Sequence, residues 1–497
     1  MLHVMIKIRQ IGFLIAILTI LVGCDRVIEV GKYASNIELF GFGGEVDQRS
    51  LVRNKALPTF TERKVKLDLK SGKFSGAASN SIERKSVNQF YEKVREALLL
   101  KRELFEGKLK VIEKDAEVQA TFSDYSPQLK LGTTNNYRLY AEGTNSRMSA
   151  NDYMDLYLKV DYPFLDYGRR EINTQISIFQ WQYQYKDLAI EVNETAFDLV
   201  KIYLEYNSLR RKKLILEAFT ENINGYVIDA QDRFLGGVSV LSEVTMTEQA
   251  KTRHNSRLAS FNQIFSKAKI QYSENFPGVT DDSFDPKMLG SLSGGLFSSL
   301  GGTGFELDQY SLEESLLAIE QLIAKYEIAQ HRSEYLPRFT SSVETKAFDV
   351  DNYDGDMQVS LNLLGEFGLF DGGKSDSQIR ALVNKANSVS QRQLALRKDL
   401  ETRLSSLKSE IDSAKKSVEQ AKKDVVFHKA KLSEAREMSE NVAYNLSEVV
   451  SADESILDSE LKLVDQEADL ENLWAEVLNL HGLYPDLFTV SFDDIGR

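Results

Sequence analysis

The residues able to do covalent or metal chemistry are few and scattered. Cys24 is the only cysteine, which excludes a disulfide framework and a cysteine-ligated zinc site. The five histidines (His3, His254, His331, His428 and His481) stand far apart, and none forms a pair with metal-ligand spacing. There is no Gly-x-Ser-x-Gly elbow, no phosphate-binding glycine loop and no His-Glu-x-x-His. The carboxylate pairs Asp281-Asp282 and Asp493-Asp494 fall in expected loops, where adjacent acids are ordinary solvated charge. No catalytic constellation and no cofactor is implied. With 74 acids against 61 bases and a formal charge of −13, the chain also lacks the basic balance of a nucleic-acid binder. What remains is charge and apolar periodicity, and these act only where an element holds them.

The N-terminus reads as an address. Lys7 and Arg9 precede an apolar run from Ile11 to Val22, too short for a spanning helix and suited to the h-region of a signal peptide. It ends in Leu21-Val22-Gly23-Cys24, which resembles the lipobox of bacterial lipoproteins. That resemblance implies removal of residues 1–23 and acylation of Cys24, anchoring the chain to a membrane surface without spanning it. Asp25 follows the cysteine, and in some bacteria an acid there retains lipoproteins in the inner membrane. No apolar segment long enough for a helical span follows, so a mature chain that crosses a membrane would do so with strands.

The rest of the chain is duplicated. Phe164-Leu165-Asp166-Tyr167-Gly168 resembles Leu369-Phe370-Asp371-Gly372-Gly373, with the aspartates 205 residues apart. Ser242-Glu243-Val244 recurs as Ser447-Glu448-Val449 at the same offset. Asp124-Tyr125-Ser126-Pro127 resembles Glu334-Tyr335-Leu336-Pro337 at an offset of 210, which fits a hairpin loop five residues longer in the first copy. Gly278 and Gly482, 204 apart, each close a helical stretch.

Each copy begins with a helix, about Ser81 to Phe122 and Gln309 to Glu334. Two strands follow. Leu156, Leu158 and Val160 alternate with Tyr157, Lys159 and Asp161; Met357, Val359, Leu361 and Leu363 alternate with Gln358, Ser360 and Asn362. The partner strands are Leu129 to Tyr140 and Phe339 to Val350. On periodicity alone this could be a small soluble sheet with one buried face. Beyond each hairpin the period lengthens to about 3.5, with no proline from Ile172 to Phe276 or from Ser375 to Leu480. Ile456, Leu463, Leu470 and Val477 fall seven apart, a packing stripe that Leu457 and Val464 widen, while the run Lys415 to Asp424 is a solvated face. Each helical stretch breaks once, near Gly236-Gly237-Val238-Ser239 and at Tyr444-Asn445-Leu446-Ser447, giving two helical hairpins.

Strand hairpins alternating with very long helical hairpins, twice over, resemble the TolC-like outer-membrane efflux proteins. The Pro127 and Pro337 strand starts, the Phe370-Asp371-Gly372-Gly373 strand end, and Gly236 to Val244 as a helical turn carry the likeness, which covers roughly residues 85 to 482. It implies a mostly α protein with membrane β-barrel strands, each protomer bringing two long helical hairpins and two β-hairpins. Three protomers would close a 12-stranded barrel over an α-helical periplasmic tunnel. The apolar residues Leu156, Leu158, Val160, Met357, Val359, Leu361 and Leu363 would face outer-membrane lipid. The implied organisation is a signal peptide (1–23), an N-terminal anchor and extended segment (24–80), a first repeat (81–285), a Gly/Ser-rich linker (286–308), a second repeat (309–483) and a C-terminal segment (484–497).

The resemblance further implies passive conduction outward, with a periplasmic adaptor and an inner-membrane pump as partners, in efflux or type I secretion. The tunnel would narrow at a gate formed by Ser242, Glu243, Glu448 and Ser451, where Asp453 could replace an acid that Ser451 does not supply. The adaptor would dock on Gly236, Gly237, Val238, Ser239, Asn445, Leu446 and Ser447. A reading from another class is a lipid-anchored periplasmic coiled-coil scaffold without a pore; Asp25 favours it and the amphipathic strands disfavour it. Cys24→Ala should abolish incorporation of labelled palmitate and leave the precursor uncut. Normal processing of that variant would reassign residues 1–23 to an ordinary secretory signal.

Overall fold

A computed structural model describes residues 81–136, 153–277, 311–347, 357–368, 371–441 and 446–495. Cys24, the 286–308 linker and Asn445 therefore lie outside the described residues. The elements in chain order are α1 (Ser81–Leu99), α2 (Arg102–Ser123), β1 (Gln128–Asn136), β2 (Tyr153–Leu165), α3 (Arg169–Leu235), α4 (Leu241–Asn275), α5 (Leu312–Ser333), β3 (Arg338–Ala347), β4 (Met357–Glu366), α6 (Lys374–Asn441), α7 (Leu446–Leu480) and the single turn α8 (Tyr484–Leu487). The two copies share this order. α3 and α6 begin 205 residues apart, as do α4 and α7, whereas α2 and α5 end 210 apart. The five extra residues of copy one thus enter between β1 and α3. Contacts divide the described residues into one unit of 114–181 and 320–388 and another of 81–113, 182–319 and 389–495.

The first unit holds a four-stranded antiparallel sheet in the order β1-β2-β3-β4. Leu131 lies opposite Leu158, Val160 opposite Val343, and Val343 opposite Leu361. Two cross-strand pairs join a glycine to an aromatic ring. A Cβ on Gly132 would come within 2.5 Å of the Tyr157 ring, and one on Gly365 within 3.1 Å of Phe339. Each glycine leaves the space its partner's ring covers, which pins the register at that pair.

Both strand-to-helix turns use one device. Tyr167 and Gly168, then Gly372 and Gly373, take left-handed backbone conformations in succession, and the preceding aspartate caps the helix that follows. Asp371 accepts from the backbone N–H of Gly373 at 3.0 Å and of Ser375 at 2.7 Å; Asp166 accepts from Gly168 at 3.3 Å and Arg170 at 3.2 Å. The side chain of Arg170 also reaches Asp166, at 2.6 Å.

In the second unit the expected single helix from Ser81 to Phe122 is two. The break falls at Leu100-Lys101, where the Lys101 N–H turns back to the Leu98 carbonyl at 3.1 Å. Phe90, Val94 and Leu98 are buried on α1, and Leu104 and Val111 on α2. Phe90, Ala97, Leu104, Val111 and Val118 are buried seven apart, so the stripe keeps its phase across the break, where the Lys101 side chain donates to Asn275 at 2.6 Å. The C-terminal segment packs here: Phe488 contacts Phe90 and Tyr91, Arg95 pairs with Asp494 at 3.1 Å, and the buried Tyr484 hydroxyl donates to the Ala475 carbonyl at 2.8 Å.

Helix α7 follows the expected stripe in part: Ile456, Leu457, Val464, Val477 and Leu478 are buried, whereas Leu463 and Leu470 are half-buried. The seam carries acids, which sequence reasoning assigns to solvent. Glu467 is held there by Arg211 at 2.7 Å.

The Ser375 side chain and backbone hydrogen bonds hold the Asp371 carboxyl down to about 2, below its ordinary 3.8. A carboxyl depressed by folding contributes stability that is complete above its unfolded pKa and is lost as pH falls toward the folded one. Amide protection at Gly373 and Ser375 should therefore decline between about pH 4 and 2. Asp371→Asn should flatten that decline, and an unchanged profile in the variant would show that the carboxylate is not the cap.

Candidate functional site

The sheet has two chemically distinct faces, set by register. One face carries Leu129, Leu131, Leu156, Leu158, Val160, Val343, Met357, Val359, Leu361 and Leu363. Leu361 and Leu363 are 68% and 71% exposed. The other face carries Lys130, Lys159, Asp161, Glu344, Lys346, Ser360 and Asn362, with Asp161 bridged to Lys159 at 3.0 Å and Lys130 at 3.4 Å. All seven residues expected to face lipid share the first face. Such an arrangement can stand between hydrocarbon and water, because alternate side chains of a strand point to opposite sides.

Aromatic rings gather where the strands meet the helices. Phe339 lies 6.3 Å from Phe164 and 6.0 Å from Phe367, centroid to centroid, and Arg170 sits over Tyr125 at 5.0 Å. Of these rings Tyr125 carries a polar end, the kind of side chain suited to a membrane–water boundary. Two arginines organise the chain there. Arg169 donates to the carbonyls of Ser333 (2.8 Å), Glu334 (2.9 Å) and Leu336, satisfying the C-terminal end of α5. Arg170 donates to the Asp124 carbonyl just past α2 at 3.3 Å. Sequence reasoning passed over both, although they stand directly after the repeated Asp turn.

In the second unit, α3 turns into α4 through a glycine cap. Gly237 has a φ of +71°, its N–H reaches the Phe234 carbonyl at 3.0 Å, and the Val238 N–H reaches Arg233 at 2.9 Å. This paired pattern explains Gly236-Gly237. Phe234, Leu235, Val238, Val240 and Leu241 are exposed around it. The turn between α6 and α7 lies outside the described residues, but Leu446, which opens α7, is fully buried, and Ser447 is half-buried.

The structure gives the five candidate gate residues different surroundings. Glu243, in the first turn of α4, accepts from the Leu446 N–H at 2.8 Å and so caps α7 from the other repeat. Asp453 is buried. Its Oδ2 accepts from Asn222 and from the Tyr226 hydroxyl, both at 3.1 Å, while Arg436 donates to that hydroxyl at 3.1 Å. Burial, with Asp453 beside it, raises the Tyr226 pKa, which keeps the phenol a donor. Ser242, Glu448 and Ser451 are exposed, Glu448 in the first turn of α7. Asn222, Tyr226 and Arg436 escaped sequence reasoning because no local spacing links them to Asp453.

No family model and no curated protein matches the sequence. Solved structures do. CusC matches at TM-score 0.66 and 13% identity, over 79% of this chain and 92% of that one. VceC, an outer membrane protein of Vibrio cholerae, matches at 0.61 and 14%, over 79% and 96%. The fold is that of the TolC-like outer-membrane channels. The CmeC outer membrane channel of Campylobacter jejuni shows the TolC-like arrangement too, at TM-score 0.57 and 12% identity over 79% of this chain and 85% of that one. Two β-hairpins and two long helical hairpins thus satisfy a TolC-like fold with little shared sequence, because the periodicities of the elements, rather than particular side chains, specify it.

The Asp453 network should be energetically coupled. Asp453→Ala removes the acceptor of the half-buried Tyr226 hydroxyl and of the exposed Asn222 amide, and should cost about 0.5–1.5 kcal/mol. In a double-mutant cycle with Tyr226→Phe, read by thermal unfolding in detergent, a coupling of roughly 0.5–3 kcal/mol is expected. Additive effects would mean the two groups are neighbours only.

Proposed function

We propose that the protein is an outer-membrane exit duct: three lipid-anchored chains close a 12-stranded barrel and conduct substrates passively from the periplasm, or from an inner-membrane pump, to the exterior. The observation that carries this reading is the sheet. It presents one continuous apolar face with exposed leucines, and its strand order ends at β1 and β4. Open edges are not tolerated in lipid, so four strands need partners, and three chains supply twelve. The polar face, with Lys130, Lys159, Asp161 and Glu344, would line a wet lumen. A coiled-coil scaffold has no use for such a sheet.

Energy would come from partners. The exposed apolar turn around Val238 and Leu241 suits a periplasmic adaptor, reached through Gly236 to Ser239 and Asn445 to Ser447. Glu448, at the start of α7, would contribute a three-fold acidic ring that favours cations. Asp453 would act from within the chain, holding α7 to α3, rather than as a second ring.

The test sets the two sheet faces against each other. A cation on the lipid face near the bilayer midplane costs about 2–4 kcal/mol, whereas a lumen substitution tunes selectivity. Leu361→Arg should strip trimers from the outer membrane, while Ser360→Arg should assemble and shift ion selectivity in planar bilayers. Equal assembly of both variants, or no conductance from a verified Glu448→Ala trimer, would defeat the duct reading.

A further inference from the structure

The core of the first helical hairpin holds an ionisable side chain. His254, on α4, is 3% exposed. Its ring stands edge-on to Phe219 of α3, with centroids 4.9 Å apart. Nε2 lies 2.8 Å from the Thr220 hydroxyl, and that hydroxyl donates to the Leu216 carbonyl at 2.9 Å. The hydroxyl proton is thus committed, so its oxygen accepts from Nε2–H and fixes the neutral ring in that form. Nδ1 is then a bare acceptor, buried with no hydrogen-bond partner among the described residues. The seat suits a neutral ring. A second proton, on Nδ1, would put an unsatisfied N–H and a positive charge into the seam between α3 and α4.

The charged groups around the ring do not offset that cost. From α3 the ring meets Leu216, Phe219 and Thr220, while the carboxylates Glu217 and Glu221 of that helix are exposed. On α4 itself Arg257 disfavours another positive charge; Asp458 of α7 holds that arginine at 2.6 Å. Glu454 of α7 attracts a charged ring, but Arg253 already pairs with it at 3.1 Å. Burial, joined by Arg257, keeps the His254 pKa below its ordinary 6.5 against the weaker pull of the Leu216 carbonyl and Glu454. The second repeat lacks this arrangement. One step of 205 residues on, Ser459 stands for His254, Asp424 for Phe219 and Val425 for Thr220. Ser459 is buried too, yet its hydroxyl donates to the Ile456 carbonyl of its own helix at 2.8 Å, and Asp424 pairs with Lys462 at 3.5 Å.

We propose that His254 is an acid-sensitive latch between α3 and α4, closed while its ring is neutral and released when the ring takes a second proton. A charged ring must reach water, so α4 has to lift from Phe219 and Thr220 around residues 250–258. The direction of the pH effect follows from the burial. A histidine whose folded pKa lies below its unfolded value contributes stability that is complete above about 6.5 and is lost as pH falls toward the folded value. Mild acid therefore loosens one helical hairpin of each chain and leaves the other closed. The latch belongs to the single chain and does not require the sheet to close a pore, so it and the duct reading stand or fall separately.

The experiment follows amide hydrogen exchange in the full-length protein in detergent from about pH 7 to about pH 5, each rate corrected for its intrinsic pH dependence. Protection at residues 250–258 of α4 should fall several-fold, while residues 455–463 of α7, one repeat step on, should keep theirs. His254→Gln retains a side-chain amide donor for Thr220 and takes no proton, so it should hold protection at 250–258 flat. If that variant does not fold, ring-labelled histidine NMR of the wild-type protein decides instead. The ring packed on Phe219 should still be neutral at about pH 6, where an ordinary histidine is mostly charged. Flat protection in the wild type, an equal fall in both segments, a fall retained in His254→Gln, or a His254 ring that is charged at about pH 6 overturns the inference.

Discussion

Register is the constraint on which the rest depends. A strand alternates its side chains between two faces, so slipping any of the three pairings by one residue would send an entire apolar set to the polar side. The structure aligns Leu131, Leu158, Thr345 and Val359 across all four strands. It does so with local devices at the ends. The Gly132–Tyr157 and Gly365–Phe339 pairs each admit one partner, and the Asp166 and Asp371 turns fix where strands stop and helices begin. A shift at those turns would rotate the first residues of α3 or α6 as well as the face of the sheet. This is why two successive left-handed residues recur in both copies: the turn sets strand and helix phase together.

The helical unit solves a different problem. Long helices that pack along their whole length have many near-equivalent registers, since an apolar stripe slides by one heptad at little cost. Polar groups inside the seam remove that freedom. Asp453 meets Asn222 and Tyr226, and Glu467 meets Arg211; a one-heptad slip in one direction would set Asp453 against Ile215 and Phe219 and Glu467 against Leu204. The net stability of buried charge is doubtful in general, but its use in fixing register is well attested. The exposed pairs Arg253–Glu454 and Arg257–Asp458 repeat the same four-residue step on both helices. Each contributes at most about 0.2–1 kcal/mol, so they follow the register more than they set it.

This division explains what the sequence made legible. Alternation, the absence of proline from the long helical runs, the glycine turn and the 205-residue offset are local or periodic signals, and they specified the strands, the helical hairpins and the face that carries Leu361. The acids of the α7 seam were not legible, because the burial of Asp453 and Glu467 depends on donors far away in the chain. The break between α1 and α2 was hidden because Lys101 and Arg102 are good helix formers locally and the buried stripe Ala97, Leu104 and Val111 runs through it in one phase. At the candidate gate, residue types were legible and roles were not. Glu243 looked like a tunnel-facing acid, yet within the chain it caps α7; that role requires knowing that Leu446 lies beside it.

Duplication gives each interface two versions, and the differences between them carry the function-relevant information. Where the first copy has Tyr226 and Asn222, the second has Lys431 and Phe427; where the second has Asp453, the first has Glu248. A buried aspartate with two neutral donors tolerates salt but not the loss of a partner. Lys431 instead lies over the Phe427 ring, and Glu248 accepts from Gln231. A tandem repeat thus keeps one helical geometry while the side chains at matching positions differ, so the contact that holds α7 to α3 has no copy of itself elsewhere among the described residues.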